Sequence, residues 1–450
     1  MNDAPDYVRD TIVAIATPPG KGGIGVVRVS GDDAQTIAEG ILGTVPEARV
    51  AARARFRDSD GEVIDSGIAL WFPGPGSFTG ESVLELQGHG GPLVMDLLVQ
   101  SAISHGARRA EPGEFSQRAF LNGKLDLVQA EAIADLIDSG TAQAARAAHR
   151  SLSGTFSREV DALAEQLIRL RLHVEAAIDF PEEEIDFLSD KALLSQLDTC
   201  EAAFAALQQR AQAGRLLKNG LHTVIVGKPN AGKSSLLNLL SGQDAAIVTE
   251  YAGTTRDILR EQIDVDGLAV ELVDTAGIRD NPDAIEAEGI RRAKRALENA
   301  DAVLWIQDAT DPDPQLPDDT SLPEVPVITL RNKIDLSGDT AGVVSAAPPV
   351  LNICAKSGDG VDALKQALRD VAGYADQGEG TFTARRRHID ALATAADHFD
   401  RGRSALEQDK AGELLAEELR FAQVSLAALT GEFSSDDLLG RIFTEFCIGK

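Results

Sequence analysis

Thr223-Val-Ile-Val226, then Gly227-Lys-Pro-Asn-Ala-Gly232-Lys233-Ser234, then the helical stretch Ser235–Leu240 read as strand, loop and helix in one run. The loop has the Walker A spacing and stands in the context that such a loop requires. Its glycines let backbone N–H groups turn inward around phosphates, and the helix N-terminus adds positive potential. Lys233 is placed to reach β- and γ-phosphates, and the Ser234 hydroxyl to ligate Mg²⁺. Further strands are expected at Leu268–Val273, Ala302–Ile306, Val325–Leu330 and Val350–Ile353. Helical segments lie between several of them, which predicts a mostly parallel sheet wrapped by helices.

Two of those strands end on residues that select the nucleotide. Asp274-Thr275-Ala276-Gly277 falls where ligands of open α/β sheets gather. Asp274 is expected to hold Mg²⁺ through water, and the Gly277 amide to touch the γ-phosphate. In Asn332-Lys333-Ile334-Asp335, the Asp335 carboxylate can accept both the N1–H and the N2 amino group of guanine. Adenine cannot offer that pair together, so these three motifs, with Ala355-Lys356 as a fourth in order, imply a GTPase. Cys354-Ala355-Lys356 fits the last base-contacting loop, and Thr255, in Gly253-Thr254-Thr255-Arg256-Asp257, fits the switch threonine of the Mg²⁺ shell. Where Ras-like enzymes carry a water-orienting glutamine, this chain has Ile278, which has no polar group. The candidates to replace it are Asp280, Asp283, Glu286 and Glu288.

At 450 residues and 47.6 kDa the chain is too long for one ordinary core and predicts two or three domains. Lys and Arg total 43 against 71 Asp and Glu, a net charge of −28, so no broad phosphate-binding face is expected. If the chain handles RNA, a local basic patch, a bound cation or a partner must serve. No apolar run is long enough to span a bilayer, and the start, MNDAPDYVRD, has neither a basic region nor an apolar core. Cys200, Cys354 and Cys447 are far apart and odd in number, which excludes a disulfide framework and fits a cytoplasmic protein.

The first ~120 residues read as mixed α and β. Strands are expected at Thr11–Ala16, Gly25–Val29 and Ser82–Leu86, with the turn-rich Pro18–Gly23 between the first two. From about Leu125 to Leu217 the texture is helical, with a break at Asp179-Phe180-Pro181. The α/β stretch from Leu221 ends near Val371, a polar linker covers Gly373–Gly380, and Ala384–Phe446 is helical again. Helical pieces on both sides favour a GTPase domain inserted into one helical domain. Arg385-Arg386-Arg387-His388 is a dense basic cluster that could meet tRNA or a partner, or could cap and solvate a helix start.

Over essentially its whole length the chain resembles the MnmE (TrmE) family of tRNA modification GTPases. The resemblance rests on the GTPase motifs together with Asp10–Gly20, Phe78–Gly91, Pro112–Asp126 and the tail Phe446-Cys-Ile-Gly-Lys450. It implies an α+β folate-binding and dimerisation domain at residues 1–124 and helical segments at 125–219 and 375–450. Between these it implies an inserted α/β, Ras-like P-loop GTPase domain at 220–374. The implied activity is GTP hydrolysis in concert with an FAD-binding partner, MnmG (GidA), in a heterotetramer or larger assembly built on a homodimer. Together they would add an aminomethyl or carboxymethylaminomethyl group to C5 of the wobble uridine of certain tRNAs. The one-carbon donor would be 5-formyl- or methylene-tetrahydrofolate, and FAD would belong to the partner.

Carried over by position, Arg28, Glu85, Lys124 and Lys450 match folate-contacting residues. Asn230, Thr249, Tyr251 and Thr254 match ligands of a K⁺ ion that supplies the positive charge given elsewhere by an arginine finger. Glu286 matches the water-orienting glutamate. The GTP-contacting set expected is Asn230, Ala231, Gly232, Lys233, Ser234 and Ser235, then Thr249, Glu250, Tyr251, Ala252, Gly253, Thr254 and Thr255. Asp274, Thr275, Ala276 and Gly277 follow, and then Asn332, Lys333, Ile334, Asp335, Cys354, Ala355 and Lys356, with Mg²⁺ on Ser234 and Thr255. Cys447, beside Lys450, is either a reactive thiol or a packed apolar residue. The reading from another class is a GTP-switched ribosome-assembly factor without covalent chemistry.

Overall fold

The computed structural model describes residues 10–179, 191–243, 260–274, 296–316, 322–372, 381–431, 439, 442–444, 446 and 449. By contacts these fall into two compact units: residues 1–134 with 427–450, and residues 135–426.

The first unit holds β1 (Ile12–Ile15), β2 (Gly22–Ser30), α1 (Ala34–Leu42), β3 (Ala52–Arg57), β4 (Val63–Phe72) and β5 (Val83–Gly90). After these come α2 (Pro92–Ser104), β6 (Arg108–Arg109), α3 (Glu114–Leu121) and the start of α4 (Leu127–Ile137). The strands form one sheet in the order β3-β4-β5-β2-β1-β6, antiparallel except for β1 with β6. Alternation decides its faces. Val27, Val29, Leu84 and Leu86 are buried in one core with Ile37 and Ile41 of α1 and Leu98 of α2. Arg28 and Glu85, one residue out of phase, stand on the opposite face.

Two expectations change here. The second strand begins at Gly22, so Gly22 and Gly23 leave the expected turn, and Gly22 pairs with Gly90 across a register irregularity. A bulge of this kind tolerates glycine where alternation breaks. Strands β3 and β4 have no counterpart among the expected ones. The first reads Ala-Arg-Ala-Arg-Phe-Arg, and only Phe56 carries an apolar signal strong enough to read.

The second unit contains α5 (Ala142–Leu152), α6 (Thr155–Asp179) and α7 (Lys191–Asn219), which leads through Gly220 into β7 (Leu221–Val226). Its α/β part continues with α8 (Lys233–Gln243), β8 (Arg260–Val265), β9 (Leu268–Asp274), β10 (Ala302–Asp308) and β11 (Val327–Asn332). It closes with α9 (Ile334–Ser337), β12 (Gly342–Ala346), β13 (Pro349–Asn352) and α10 (Val361–Val371). The sheet order is β12-β13-β11-β10-β7-β9-β8. The five inner strands are parallel, and the edges β12 and β8 run antiparallel to their neighbours. An apolar cluster from Ile225 and Leu240 to Leu351 and Leu368 fills the interior, as a sheet covered on both faces demands. Strands expected at 325–330 and 350–353 lie at Val327–Asn332 and Pro349–Asn352.

The chain then returns to the helices it left, with α11 (Arg386–Asp409) and α12 (Gly412–Thr430). Phe382 stacks on Phe156 of α6 at 4.4 Å between ring centroids. Thr383 N donates to Ser151 Oγ at 2.9 Å, and Arg385 pairs with Asp135 at 2.8 Å. Gly214 of α7 has the Phe382 carbonyl 2.3 Å from where a Cβ would stand, so the returning segment packs against bare helix backbone. These contacts close the helical domain around both ends of the inserted α/β domain. Among the described residues no helix is long and apolar enough to cross a membrane.

Candidate nucleotide and folate sites

The phosphate-binding loop is shaped by close approaches. A Cβ on Gly227 would fall 2.3 Å from Ile306 O at the neighbouring strand β10. Gly232 has φ +104, and a Cβ there would fall 2.1 Å from Asn332 Nδ2. Asn230 also adopts a left-handed backbone, φ +66. Lys233 is buried, and its Nζ donates to Gly227 O at 2.7 Å and Lys228 O at 2.9 Å. The ammonium group is therefore held over the loop by the loop's own carbonyls. Ser234 and Ser235 are exposed in the first turn of α8.

Asn332 ties three of the motifs together. Its Nδ2 donates to Ala231 O at 2.8 Å, and its Oδ1 accepts the Ala355 N–H at 2.9 Å. The side chain is buried, so both bonds form where water does not compete. Lys333, at φ +68, sends its Nζ to Asp308 Oδ2 at 2.7 Å. That bond first, with two hydrogen bonds from Thr310, outweighs burial and holds the Asp308 carboxyl well below the usual range, at about 2. Asp335 Oδ1 lies 3.3 Å from Cys354 Sγ, so the carboxylate expected to select guanine and the last loop meet. Cys354 is buried and Lys356 exposed.

Sequence reasoning passed over the flank of this site. Lys228 Nζ pairs with Asp311 at 2.9 Å and donates to Asp313 O at 3.3 Å, and this pairing lowers the Asp311 pKa. A cleft of about 150 Å³ lies there, bounded by Lys228, Asn230, Ile306, Asp308, Asp311 and Gln315. The available signal was the run Asp308-Ala-Thr-Asp311 directly after an apolar strand, at a strand's C-terminal end.

In the first unit, Arg28 and Glu85 are direct cross-strand partners, with Nε to Oε1 at 2.9 Å. The guanidinium lies 5.9 Å from the Phe78 ring centroid and 5.8 Å from that of Phe115, and it reaches Gly449 O at 3.4 Å. Lys124 Nζ donates to Pro75 O at 3.0 Å, and its stem lies beside Gly80. Three of the four expected folate residues therefore gather around the 75–85 segment. The fourth, Lys450, lies outside the described residues.

Beside them is a buried ion network absent from the expected set. Arg118, 1% exposed, donates to Asp10 at 2.7 Å, Glu114 at 2.8 Å and Glu81 at 3.2 Å. Burial alone would raise the pKa of Asp10 and of Glu114, but hydrogen bonds, chiefly from Arg108 and Arg118, outweigh it and lower both. Ser30, Thr79 and Asn122 continue the network into the 78–81 turn. Its signal was the density of polar residues in Phe78–Glu81 and Pro112–Asp126, whose roles only contact reveals.

Of the remaining candidates, Thr249, Glu250, Tyr251, Ala252, Gly253, Thr254, Thr255, Thr275, Ala276, Gly277, Glu286 and Cys447 lie outside the described residues, as does the Asp274 side chain. The basic cluster at 385–388 serves the helix start in part. Arg385 N donates to His388 Nδ1 at 3.0 Å, and Arg386 pairs along α11 with Asp390. Cys200 is buried in α7, and burial pushes its thiol up to about 11, which suits an inert core residue.

A phosphate loop opening α8, a parallel sheet with antiparallel edges, and an aspartate at the base loop define a P-loop GTPase domain, here inserted in a helical domain. Residues 11–124 match the family model of the GTP-binding protein TrmE N-terminus, and residues 127–447 match that of the MnmE helical domain. The chain belongs to the MnmE (TrmE) family and is a GTP-hydrolysing tRNA modification factor.

Similar solved structures include the FeoB G-domain from Methanococcus jannaschii, 23% identical, over 34% of this chain and 96% of that chain, with a TM-score of 0.25. A GTP-binding protein from the hyperthermophilic archaeon Sulfolobus solfataricus, in complex with GDP, is 18% identical over 47% of this chain and 67% of that chain, with a TM-score of 0.25. The cytosolic domain of L. pneumophila FeoB is 16% identical over 50% of this chain and 97% of that chain, with a TM-score of 0.24. At these scores the likenesses add nothing to the family assignment.

Proposed function

We propose that this chain hydrolyses GTP as one half of a tRNA-modifying assembly whose other half is an FAD-binding protein of the MnmG type. The assembly adds an aminomethyl or carboxymethylaminomethyl group to C5 of wobble uridines. In this reading a cytoplasmic homodimer carries a folate-binding domain at 1–124, helical segments at 125–219 and 375–450, and a GTPase domain at 220–374.

The observation that carries the reading is the Arg28–Glu85 pair, set between Phe78 and Phe115 with the Gly449 carbonyl alongside. The donor set fits a reduced folate. Glu85 can accept the amide and amino hydrogens of a pterin, and Arg28 and Lys124 suit its carbonyl and glutamate oxygens. The folate, when bound, supplies the one-carbon unit. Arg118, through its pairs with Asp10, Glu81 and Glu114, keeps the 78–81 turn in place.

At the nucleotide, Lys233 neutralises charge on the β- and γ-phosphates, and Asp335 accepts the two guanine hydrogens. The hydroxyls of Ser234 and Thr255 hold Mg²⁺. The exposed, left-handed Asn230 offers its amide oxygen to K⁺ with oxygens from Thr249, Tyr251 and Thr254. Glu286 accepts a hydrogen bond from the attacking water, the role that Ile278 cannot fill. Mass analysis of wobble uridines in a strain lacking the chain tests the reading. Unmodified C5 positions, restored by the wild type and not by Glu85→Ala, are expected. Unchanged nucleosides with altered ribosome profiles would favour the assembly-factor reading.

A further inference from the structure

The β8–β9 hairpin lies between the two segments read above as nucleotide-contacting, 249–255 and 274–277. Strand β8 starts at Arg260, soon after Thr255, and β9 ends on Asp274. Its ladder is continuous, with six pairs from Arg260↔Val273 to Val265↔Leu268. Ile263, Val265, Leu268, Val270 and Leu272 are buried, so a one-residue slip would turn the core side chains outward. A displacement at one end must therefore travel as a rigid tilt over roughly 20 Å, at ~3.3 Å per residue.

The far end is the turn Asp266-Gly267, left-handed at both residues, φ +50 and +94. That turn is gripped from two sides. The buried Thr141 hydroxyl donates to Gly267 O at 3.0 Å and accepts the Ala144 N–H at 3.1 Å. One oxygen thus caps α5 and holds the hairpin. Gln143 covers the same turn: a Cβ on Gly267 would fall 2.5 Å from its Cδ. On the other side Arg369 of α10, the helix after the base-contacting loop, pairs with Asp266 at 3.0 Å.

We infer that the hairpin is a lever that carries the nucleotide state to α5 of the helical domain, with Thr141 as the positioning residue that couples the two. The inference rests on the reading of 249–255 and 274–277 as nucleotide-sensing loops. A hydroxyl that only capped α5 would need its acceptor lone pair alone. The donor half of Thr141 is spent on the hairpin.

Two substitutions separate the halves. Thr141→Ser keeps both, whereas Thr141→Asp keeps an acceptor for the Ala144 N–H and loses the donor. Hydrogen exchange of the amides at 142–152 is measured in the full-length protein with GDP and with GDP plus aluminium fluoride. The wild type and Thr141→Ser are expected to differ several-fold between the two states. Thr141→Asp is expected to show the same exchange in both, with GDP affinity within threefold of wild type. Thr141→Val, lacking cap and donor, should exchange faster in both states without a difference between them. A wild-type α5 indifferent to the nucleotide, or a difference that persists in Thr141→Asp and Thr141→Val, overturns the lever. Absence of nucleotide binding in the wild type would instead remove the GTPase reading beneath it.

Discussion

Asn332→Ala removes one buried amide and leaves two backbone groups, Ala231 O and Ala355 N, without the partners they have now. A buried donor or acceptor left unsatisfied costs about 1–3 kcal/mol, so the pair sums to roughly 2–6 kcal/mol. At about 1.4 kcal/mol per decade, the lower end already corresponds to a loss of roughly 30-fold in an equilibrium constant. The loss should fall on nucleotide affinity, because Ala231 belongs to the phosphate loop and Ala355 to the base loop. Asn332→Asp retains the acceptor for Ala355 but sets a carboxylate against the Ala231 carbonyl, so it should weaken binding as well. Titration with a fluorescent GDP analogue, backed by stopped-flow dissociation, reads the change. The dissociation rate should rise by at least tenfold in Asn332→Ala, with the helical content unchanged by circular dichroism. Affinity within threefold of wild type would refute the argument that this side chain organises both loops.

Four further outcomes are expected. GTP turnover should be much faster in KCl than in NaCl at equal ionic strength, and Asn230→Ala should flatten that difference; equal wild-type rates in both salts would end the potassium proposal. Asp335→Asn should shift preference from guanosine towards xanthosine nucleotides, read by competitive titration, because it turns an acceptor into a donor facing donors. Glu286→Ala should lower kcat by roughly 10²-fold or more with little change in GTP affinity, the scale of a lost orienting group, while Glu288→Ala stays mild in single-turnover assays. Lys333 first, and Thr310 with it, lower the Asp308 carboxyl pKa from 3.8 to about 2, so the stabilisation is full above pH ~4 and is lost as pH falls through the folded value. Lys333→Ala should shrink that acid-range component of the unfolding transition, leaving the part that the two Thr310 hydrogen bonds supply.

The proposed nucleotide site rests on local chemistry. Gly227–Ser234, Asp274–Gly277 and Asn332–Asp335 each place the groups proposed for phosphate, Mg²⁺ or guanine within four to eight consecutive residues, next to strands whose apolar runs announce themselves. The inserted arrangement could also be read from texture, since helical composition on both sides of an α/β stretch has few other solutions. Strand β3 could not be found that way, because its alternation is of arginine with alanine and its burial depends on what α1 and α2 bring to the sheet.

Sequence alone carries the phosphate and base chemistry proposed for this protein, because those groups act through backbone amides and side chains adjacent along the chain. Tertiary structure alone decided which distant residues support it. Asn332 meets Ala231 across 101 positions, Arg118 meets Asp10 across 108, and Thr141 meets Gly267 across 126. A single asparagine, arginine or threonine carries no mark of its partner. The pairing arises only when sheet order and helix packing bring the two backbones within hydrogen-bonding distance and exclude water from between them.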